Sequence, residues 1–239
     1  MTKNLGKQEE INIVNSLNNK KIDQLDENLK EIIFRSFKNY SGKNIVSCKI
    51  VEGNIKADIE VELNGVKLTY SLKTGSGNAI HQEPLNNFIS YLLTLQNTTR
   101  EELETIKFFI WTDGTIDGSG EISDRMSKKK FKKKYPEKIE TIRKFFFRNK
   151  EKILKRILLS GKDLLPTNFL LYKNNKNKFI IKSGYELIEY FSKSEMGLYG
   201  LGPITFQTWN PALRGQKTKP RDVVQFKWGS LEKDLGYEK

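Results

Sequence analysis

Residues 54–83, which read NIKADIEVELNGVKLTYSLKTGSGNAIHQE, decide the fold of this chain. They predict a β-hairpin, because apolar and polar residues alternate along two arms and a period of two is typical of strands. The apolar positions are Ile55, Ala57, Ile59, Val61 and Leu63 on the first arm, and Val66, Leu68, Tyr70 and Leu72 on the second. Asn64-Gly65 between the arms is the preferred two-residue turn, since both turn positions need positive φ.

The turn also predicts the register of the hairpin, in which the apolar faces of the two arms coincide. On the other face, Asp58 lies opposite Ser71, with Lys73 one diagonal step away. Opposed side chains lie about 5 Å apart and diagonal ones about 7–8 Å. A carboxylate can hold a divalent cation, and an ammonium can orient a water or offset charge on a phosphate. The same alternation also fits a hairpin with a solvated face, as Glu62 opposite Lys67 illustrates.

A glycine-rich turn follows the hairpin. Residues 74–78, TGSGN, let the backbone approach a ligand closely, because glycine has no side chain to obstruct it. His81, Gln82 and Glu83 come next, and Pro84 predicts the start of a helix over residues 84–96. A helix that begins there is expected to return the Glu83 carboxylate to the strand ends.

The segment resembles the PD-(D/E)XK nuclease superfamily, typified by the type II restriction endonucleases. That family has an Asp on one strand of a hairpin and an acid-x-Lys on the next, and Asp58 and Lys73 match its Asp and Lys. Ala57 stands where the family often has proline, and Ser71 stands where the second acid belongs. A known variant of the family has Ser-x-Lys and supplies the missing acid from the following helix, where Glu83 is expected.

The resemblance implies an α/β fold, with a restriction-endonuclease-like mixed central sheet flanked by helices. It implies Mg²⁺-dependent hydrolysis of DNA phosphodiester bonds, as by a type II site-specific deoxyribonuclease of a restriction-modification system. Enzymes of about this size act as homodimers on short palindromic sequences of double-stranded DNA. No internal repeat or linker is visible, so we predict a single nuclease domain over residues 1–239, with DNA-recognition elements in its C-terminal half.

The resemblance also implies roles for the hairpin residues. Asp58 and Glu83 hold the metal ion, and the backbone carbonyl of Leu72 is a further candidate ligand. Lys73 positions or helps to deprotonate the attacking water. Ser71 is an auxiliary hydrogen-bonding group, because a hydroxyl cannot bind Mg²⁺ as an anion.

Two other acids are candidates for the same site. The family often places an acid on its opening helix near the metal, and Glu10 lies on the first predicted helix. Glu60 shares a strand face with Asp58, but the register sets it one pair nearer the turn and further from Lys73. We therefore predict Glu83 rather than Glu60 as the second metal carboxylate.

Composition limits the class of protein. Hydrophobic residues make up 37% of the 239 residues and aromatic residues 11%, which is enough for a packed core. No apolar run approaches the roughly 20 residues of a membrane helix, and residues 1–10 lack a signal-peptide pattern. One cysteine, Cys48, favours a reducing compartment, and one cysteine with one histidine excludes an ordinary zinc site. We expect a cytoplasmic protein without membrane contacts.

The net charge of +13 indicates a polyanionic partner, although coding bias toward lysine would also raise it. The charge is clustered, since residues 127–159 carry fourteen Lys or Arg against three Glu. An apolar stripe after Pro136 predicts an amphipathic helix there. Such a helix can also bind membranes or calmodulin-like partners, but the hairpin motif independently favours DNA. The candidate phosphate contacts in this region are Lys128, Lys132 and Arg143.

Further DNA contacts are expected from side chains that can bind base edges. Asn, Gln and Arg do so through two hydrogen bonds. The basic loop between two late predicted strands supplies Asn210, Arg214, Gln216 and Arg221, and the segment after the hairpin supplies Asn78, His81 and Gln82.

The remaining periodicity predicts helices over 7–19, 23–38 and 184–193. It predicts strands over 44–51, 105–111, 168–173, 178–182, 203–209 and 223–228. Residues 105–111, TIKFFIW, are apolar almost throughout, so we expect a central strand there.

Two other functions remain open. The first is a DNA-binding protein that has a nuclease-like fold but no catalytic activity, because the second acid of the family motif is missing. A repair or junction nuclease of the same superfamily would recognise DNA structure rather than sequence.

Overall fold

A computed structural model describes residues 5–53, 56–74, 79–161, 166–174, 176–208 and 223–236. Contacts divide the chain into two compact units. The first unit comprises residues 1–78, 158–189 and 230–239, and the second comprises residues 79–157 and 190–229. The single domain over residues 1–239 stays a prediction.

The chain alternates helices and strands, in the following order: α1 (Leu5–Leu17), β1 (Lys20–Lys21), α2 (Glu27–Ser36), β2 (Ile45–Ile50), β3 (Ile59–Leu63), β4 (Val66–Thr74), β5 (Ala79–Pro84), α3 (Leu85–Leu93), α4 (Arg100–Trp111), α5 (Lys128–Lys134), α6 (Pro136–Arg148), α7 (Lys150–Leu154), β6 (Phe169–Lys173), β7 (Phe179–Ser183), α8 (Gly184–Lys193), β8 (Ile204–Gln207), β9 (Val223–Trp228) and α9 (Leu231–Asp234). Short 3-10 turns occupy Ile22–Gln24 and Ile122–Asp124, and a π-helical turn occupies Lys155–Ser160. None of the helices among the described residues is long and apolar enough to cross a bilayer.

The first unit is built on a mixed six-stranded sheet in the order β1-β2-β3-β4-β6-β7. Strands β4 and β6 run parallel, and the other neighbours run antiparallel. Helix α1 packs against β2 and β4, and α2 packs against β7. The predicted α/β class, with a mixed sheet flanked by helices, is therefore confirmed.

The predicted hairpin forms with the predicted register. Leu63 pairs with Val66 and Ile59 with Tyr70, while Asn64 and Gly65 have φ values of 51° and 80°. The inner face of the hairpin joins α1 and α2 in one apolar core, whose fully buried members include Leu17, Ile32, Ile33, Ile59, Val61 and Tyr70. Burial of this face against two helices specifies the register, because a one-residue slip would expose every apolar side chain.

The second unit holds a three-stranded antiparallel sheet in the order β5-β9-β8. One face of this sheet is buried by aromatic residues. Phe206 and Phe226 stack at 5.0 Å between ring centroids, and Phe88 of α3 meets Phe226 edge-on at 5.5 Å. Phe146 of α6 lies 5.2 Å from Phe206. The face that carries Phe206 and Phe226 is therefore covered, and we call the opposite face of the sheet its open face.

The strand predicted over residues 105–111 is wrong, because these residues form the second half of helix α4. Thr99 caps the helix by accepting a hydrogen bond from the Glu102 amide at 3.2 Å, and the Glu102 carboxylate accepts one from the Thr99 amide at 2.9 Å. A short apolar run is compatible with either a strand or a buried helix. Here the capping residues Thr99 and Glu102 favour the helix.

The helix predicted over residues 84–96 forms as α3 and begins within one residue of Pro84, but Glu83 lies on a strand and not at the start of that helix. Residues 79–84 form strand β5, and α3 begins only at Leu85. Strand β5 pairs with β9, about 140 residues later in the chain, and such a distant partner leaves no local signal.

The other predicted elements occur close to their predicted bounds. Residues 168–173 and 178–182 form the antiparallel pair β6–β7, and helix 184–193 is α8. The basic segment after Pro136 is helical, and its predicted apolar stripe is buried.

Candidate functional site

Asp58 lies where the ladder between β3 and β4 ends. Its backbone amide donates to the Tyr70 carbonyl at 2.8 Å, and its carboxylate Oδ2 accepts from the Leu72 amide at 2.5 Å. The side chain therefore takes the acceptor position that a strand carbonyl holds elsewhere in a ladder. This bond holds the carboxylate against β4.

Lys73 turns back toward this carboxylate. Its Nζ donates to Ser71 Oγ at 3.0 Å and to the Leu72 carbonyl at 2.9 Å, and it lies 3.9 Å from Asp58 Oδ2. Ser71 and Lys73 share one face of β4 because they are two residues apart. Ser71 is only 1% exposed, so its hydroxyl gives the ammonium a fixed acceptor. The structure thus brings together Asp58, Ser71, Leu72 and Lys73, which we call the hairpin cluster.

Glu10 is the acid that joins the hairpin cluster. It lies on α1, which packs against β4. Burial raises the pKa of the Glu10 carboxyl above its ordinary value of 4.5, and the neighbouring Asp58 carboxylate raises it further. Lys73 and Lys7 act in the opposite direction.

The preceding acid, Glu9, is engaged differently. It forms an ion pair with Lys173 of β6 at 2.5 Å. Two adjacent acids on α1 therefore have distinct surroundings, since Glu9 pairs with Lys173 and Glu10 is influenced by Asp58.

The hairpin cluster and Glu10 fit a Mg²⁺ ion. Mg²⁺ prefers hard oxygen ligands, and proteins usually hold it through one or two carboxylates together with substrate phosphates and waters. Asp58 and Glu10 would supply the two carboxylates, and the Leu72 carbonyl would supply a backbone oxygen. Burial is the main cause of the raised pKa of Glu10, and the charge of Asp58 raises it further; a divalent cation at these carboxylates would offset both effects. Within the described part of the chain, no group of three or more His, Cys, Asp or Glu is placed to hold a metal.

Glu83 is found in a different environment, on the buried face of the β5-β9-β8 sheet. It is 4% exposed, and its carboxylate accepts from Arg156 Nε at 2.9 Å and Nη2 at 2.6 Å. His81 Nε2 lies 2.9 Å from the same carboxylate. Burial acts to raise the pKa of Glu83, but hydrogen bonds from His81 and Arg156 outweigh it and hold the pKa below 4.5. Glu83 as a metal ligand stays a prediction without structural support.

Glu60, the acid not favoured from the sequence, forms an ion pair with Lys49 of β2 at 3.1 Å. Its carboxylate is therefore held by the neighbouring strand, which agrees with its exclusion from the hairpin cluster.

The predicted DNA contacts have mixed surroundings. Lys132 on α5 and Gln82 on β5 are exposed, whereas His81 is 7% exposed and lies against Glu83. Arg143 on α6 forms an ion pair with Glu140 at 2.5 Å, and Lys128 donates to Gln207 Oε1 at 3.3 Å. Five predicted contacts lie outside the described residues: Asn78, Asn210, Arg214, Gln216 and Arg221.

Sequence reasoning missed Arg156, which the folded chain brings to Glu83 across a separation of 73 residues. It also missed Gln207, Gln225 and Lys227 on the open face of the three-stranded sheet. The alternation of Val224, Gln225, Phe226 and Lys227 separates the two faces of β9. However, no local pattern could show which strands lie beside it.

A scan against protein-family models and a search of curated proteins found no match to this chain. Chemically, the hairpin cluster together with Glu10 combines two carboxylates, a backbone carbonyl and a lysine ammonium at the end of a strand pair. Such a set can hold a hard cation and place a cationic donor beside a polar substrate group.

Proposed function

We propose that this protein is a Mg²⁺-dependent endonuclease that hydrolyses phosphodiester bonds in duplex DNA. Within that class, we propose a type II restriction enzyme of the PD-(D/E)XK superfamily that acts as a homodimer. The observation that carries the proposal is the approach of the Lys73 ammonium to the Asp58 carboxylate, at 3.9 Å, beside Glu10.

Glu10, in place of Glu83, is the proposed second metal carboxylate. Burial is the largest cause of its raised pKa and the charge of Asp58 adds to it, and α1, which carries Glu10, packs on β4. The Glu83 carboxylate instead receives two bonds from one guanidinium, the strong paired geometry of arginine and carboxylate. Release of Glu83 toward a metal would leave the Arg156 charge unpaired at a mostly buried position, which is costly.

When bound, Mg²⁺ would lower the pKa of a water molecule and offset charge on the phosphate. Asp58 and Glu10 would hold the ion, with the Leu72 carbonyl as a further ligand. The Leu72 amide keeps the Asp58 carboxylate in place by donating to Oδ2. The remaining chemistry belongs to Lys73.

An ammonium has three N–H donors. Two of those of Lys73 are directed at Ser71 Oγ and the Leu72 carbonyl, which fix the direction of the third. That third donor is available to orient an attacking water or to stabilise a phosphate oxygen as its charge grows. Ser71 is a positioning residue in this scheme, because it acts through Lys73.

The charge of the chain supports a nucleic-acid substrate. Net charge is +13, and six of the seven residues of α5 are lysines. Phe131 anchors this short helix, since its ring is fully buried and packs 5.2 Å from that of Phe109. A helix held by one aromatic residue while its lysines remain largely exposed suits contact with phosphates.

A DNA-binding protein without catalysis remains the second candidate, because Ser71 occupies the position of the family's second acid. Glu10 weakens this alternative, since it returns a second carboxylate to Asp58.

The test is digestion of supercoiled plasmid with Mg²⁺ by the wild type, Asp58→Ala and Lys73→Ala. We expect discrete fragments from the wild type and a loss of about 10²- to 10³-fold or more in each variant, the range for removal of one electrostatic stabiliser. Binding of duplex DNA should persist in both variants, because it depends on many basic residues. Glu60→Gln is the matched control and should cleave normally, since Glu60 pairs with Lys49.

Each other outcome has a defined meaning. Cleavage by Lys73→Ala at the wild-type rate would exclude the hairpin cluster as the site. Nicks confined to branched or damaged DNA would favour a structure-specific nuclease. Intact plasmid together with a gel shift would favour the second candidate, a DNA-binding protein that does not cleave.

A further inference from the structure

Three glutamines form a row across the three-stranded sheet of the second unit. Gln82 of β5 pairs with Gln225 of β9, and Gln225 pairs with Gln207 of β8. Directly paired residues of antiparallel strands project from the same face. The three amide side chains therefore lie side by side, about 5 Å apart from strand to strand.

This row lies on the open face of the sheet. The residues that alternate with it on β9, Val224 and Phe226, are fully buried on the opposite face. Gln82 is exposed, and Gln225 and Gln207 are partly buried. The β5–β9 pairing is irregular between Ala79 and His81, as at a β-bulge. Beyond this irregularity Gln82 pairs with Gln225, so the two side chains project from the same face.

Two lysines lie next to the row, one beside Gln225 on β9 and one beside Gln207 on β8. Lys227 lies two residues beyond Gln225 on the same face of β9, and Lys128 at the start of α5 donates to Gln207 Oε1 at 3.3 Å. The Lys128 pKa is lowered by burial and by the charge of Lys227. Neither lysine has a carboxylate ion-pair partner among the residues described, so an anion between them would be stabilised by both.

Gln207 is already oriented by its neighbours. Its Nε2 donates to Thr205 Oγ1 at 2.7 Å while its Oε1 accepts from Lys128. Orienting a long side chain before binding reduces the entropy lost on contact with a ligand.

We propose that the open face of the β5-β9-β8 sheet reads base edges in the major groove of duplex DNA, with Gln225 as the central reader of adenine. The proposal deepens the proposed function, because it rests on duplex DNA as the substrate. Glutamine binds adenine N6 and N7 through two hydrogen bonds, and strands can enter the groove as readers. The row spans about 10 Å across three strands, comparable to a groove about 12 Å wide. Lys128 and Lys227 contact the flanking phosphates.

The test measures sequence preference in the full chain carrying Lys73→Ala, so that DNA is bound without being cut. This protein is used to select binding sites from a library of random duplexes. We expect an enriched motif containing adenine. Gln225→Ala in the same background should lose the preference for one base pair by about 5- to 150-fold, while affinity for duplexes of unrelated sequence is unchanged.

Two further measurements test whether Gln225 contacts adenine directly. Gln225→Glu should shift the preference at that position toward cytosine, since a carboxylate accepts from cytosine N4. Replacing the contacted adenine with 7-deazaadenine, which lacks N7, should weaken binding when Gln225 is present and have no further effect in Gln225→Ala. Gln96→Ala is the matched control, because Gln96 is an exposed glutamine of the same unit away from the sheet.

Several results would overturn the inference. They are an unchanged motif with Gln225→Ala, an equal loss with Gln96→Ala, or selection without any base preference. A loss confined to single-stranded DNA or RNA would assign the face to another ligand. None of these results would contradict cleavage of DNA by the wild type, which is tested separately with plasmid. Absence of duplex binding by the Lys73→Ala protein, together with an uncut plasmid for the wild type, would instead reject the proposed function itself.

Discussion

The Glu10 carboxyl lies beside Asp58, where burial and the neighbouring carboxylate raise its pKa above 4.5. The folded protein therefore binds the Glu10 proton more tightly than the unfolded chain does. As pH rises above 4.5 through the raised pKa, ionisation of Glu10 lowers the stability of the fold. At neutral pH this acid destabilises the protein, which is typical of a residue kept for function rather than stability.

Glu10→Gln should accordingly increase the free energy of unfolding at pH 8 in EDTA, because the neutral amide avoids both the burial of a charge and the repulsion from Asp58. The increase should shrink toward pH 4, where the wild-type carboxyl is itself protonated. Urea unfolding at both pH values measures the difference. Mg²⁺ should then stabilise the wild type more than Glu10→Gln, since only the wild type has both carboxylates.

Glu9→Gln provides the control for this prediction. It lies one residue away on α1 but loses the ion pair with Lys173, so it should not stabilise the protein. A Glu10→Gln protein no more stable than the wild type at pH 8 would contradict the electrostatic argument.

At the scale of the element, helix α4 depends on its first turn. Residues 105–111 have the composition of a buried strand, yet the reciprocal bonds of Thr99 and Glu102 begin a helix at Arg100. The helix then buries Phe109 and Ile110 completely.

Thr99→Ala removes the hydroxyl that caps the Glu102 amide. We expect a loss of about 0.5–2 kcal/mol in the free energy of unfolding, the usual range for an N-cap residue. Thr99→Ser keeps the acceptor and should lose much less. Chemical denaturation of both variants measures the difference, and equal losses would show that the threonine methyl, rather than the cap, stabilises the helix.

The whole molecule is strongly basic, with 42 Lys and Arg against 29 Asp and Glu. In the proposed function, much of the binding free energy comes from release of counterions by phosphate contacts. The logarithm of the binding constant then falls with the logarithm of salt concentration, by about 0.9 for each phosphate neutralised.

Replacing Lys132 and Lys133 of α5 with glutamine should reduce the magnitude of that slope by about 2 if each contacts one phosphate. Fluorescence anisotropy of a labelled duplex at several salt concentrations gives the slope. Replacing Lys38 and Lys43, two exposed lysines of the first unit, removes the same charge and should change the slope less. Equal changes would indicate a general effect of net charge.

The sequence alone determined the hairpin and its register. Alternation over two arms and the Asn64-Gly65 turn are local features, and the structure confirms the pairs that they predict. The convergence of Asp58, Ser71 and Lys73 follows from that register, since neighbouring positions on a two-stranded ladder cannot separate.

Only the tertiary structure decided which acid joins Asp58. The position of Glu10 depends on α1, which packs on β4, whereas Glu83 lies on β5, which pairs with β9 and buries that side chain beside Arg156. The glutamine row likewise exists only once β5, β9 and β8 lie side by side. Local patterns specify which face a residue occupies. Contacts between distant segments depend on how whole faces pack, and no short stretch of sequence contains that information.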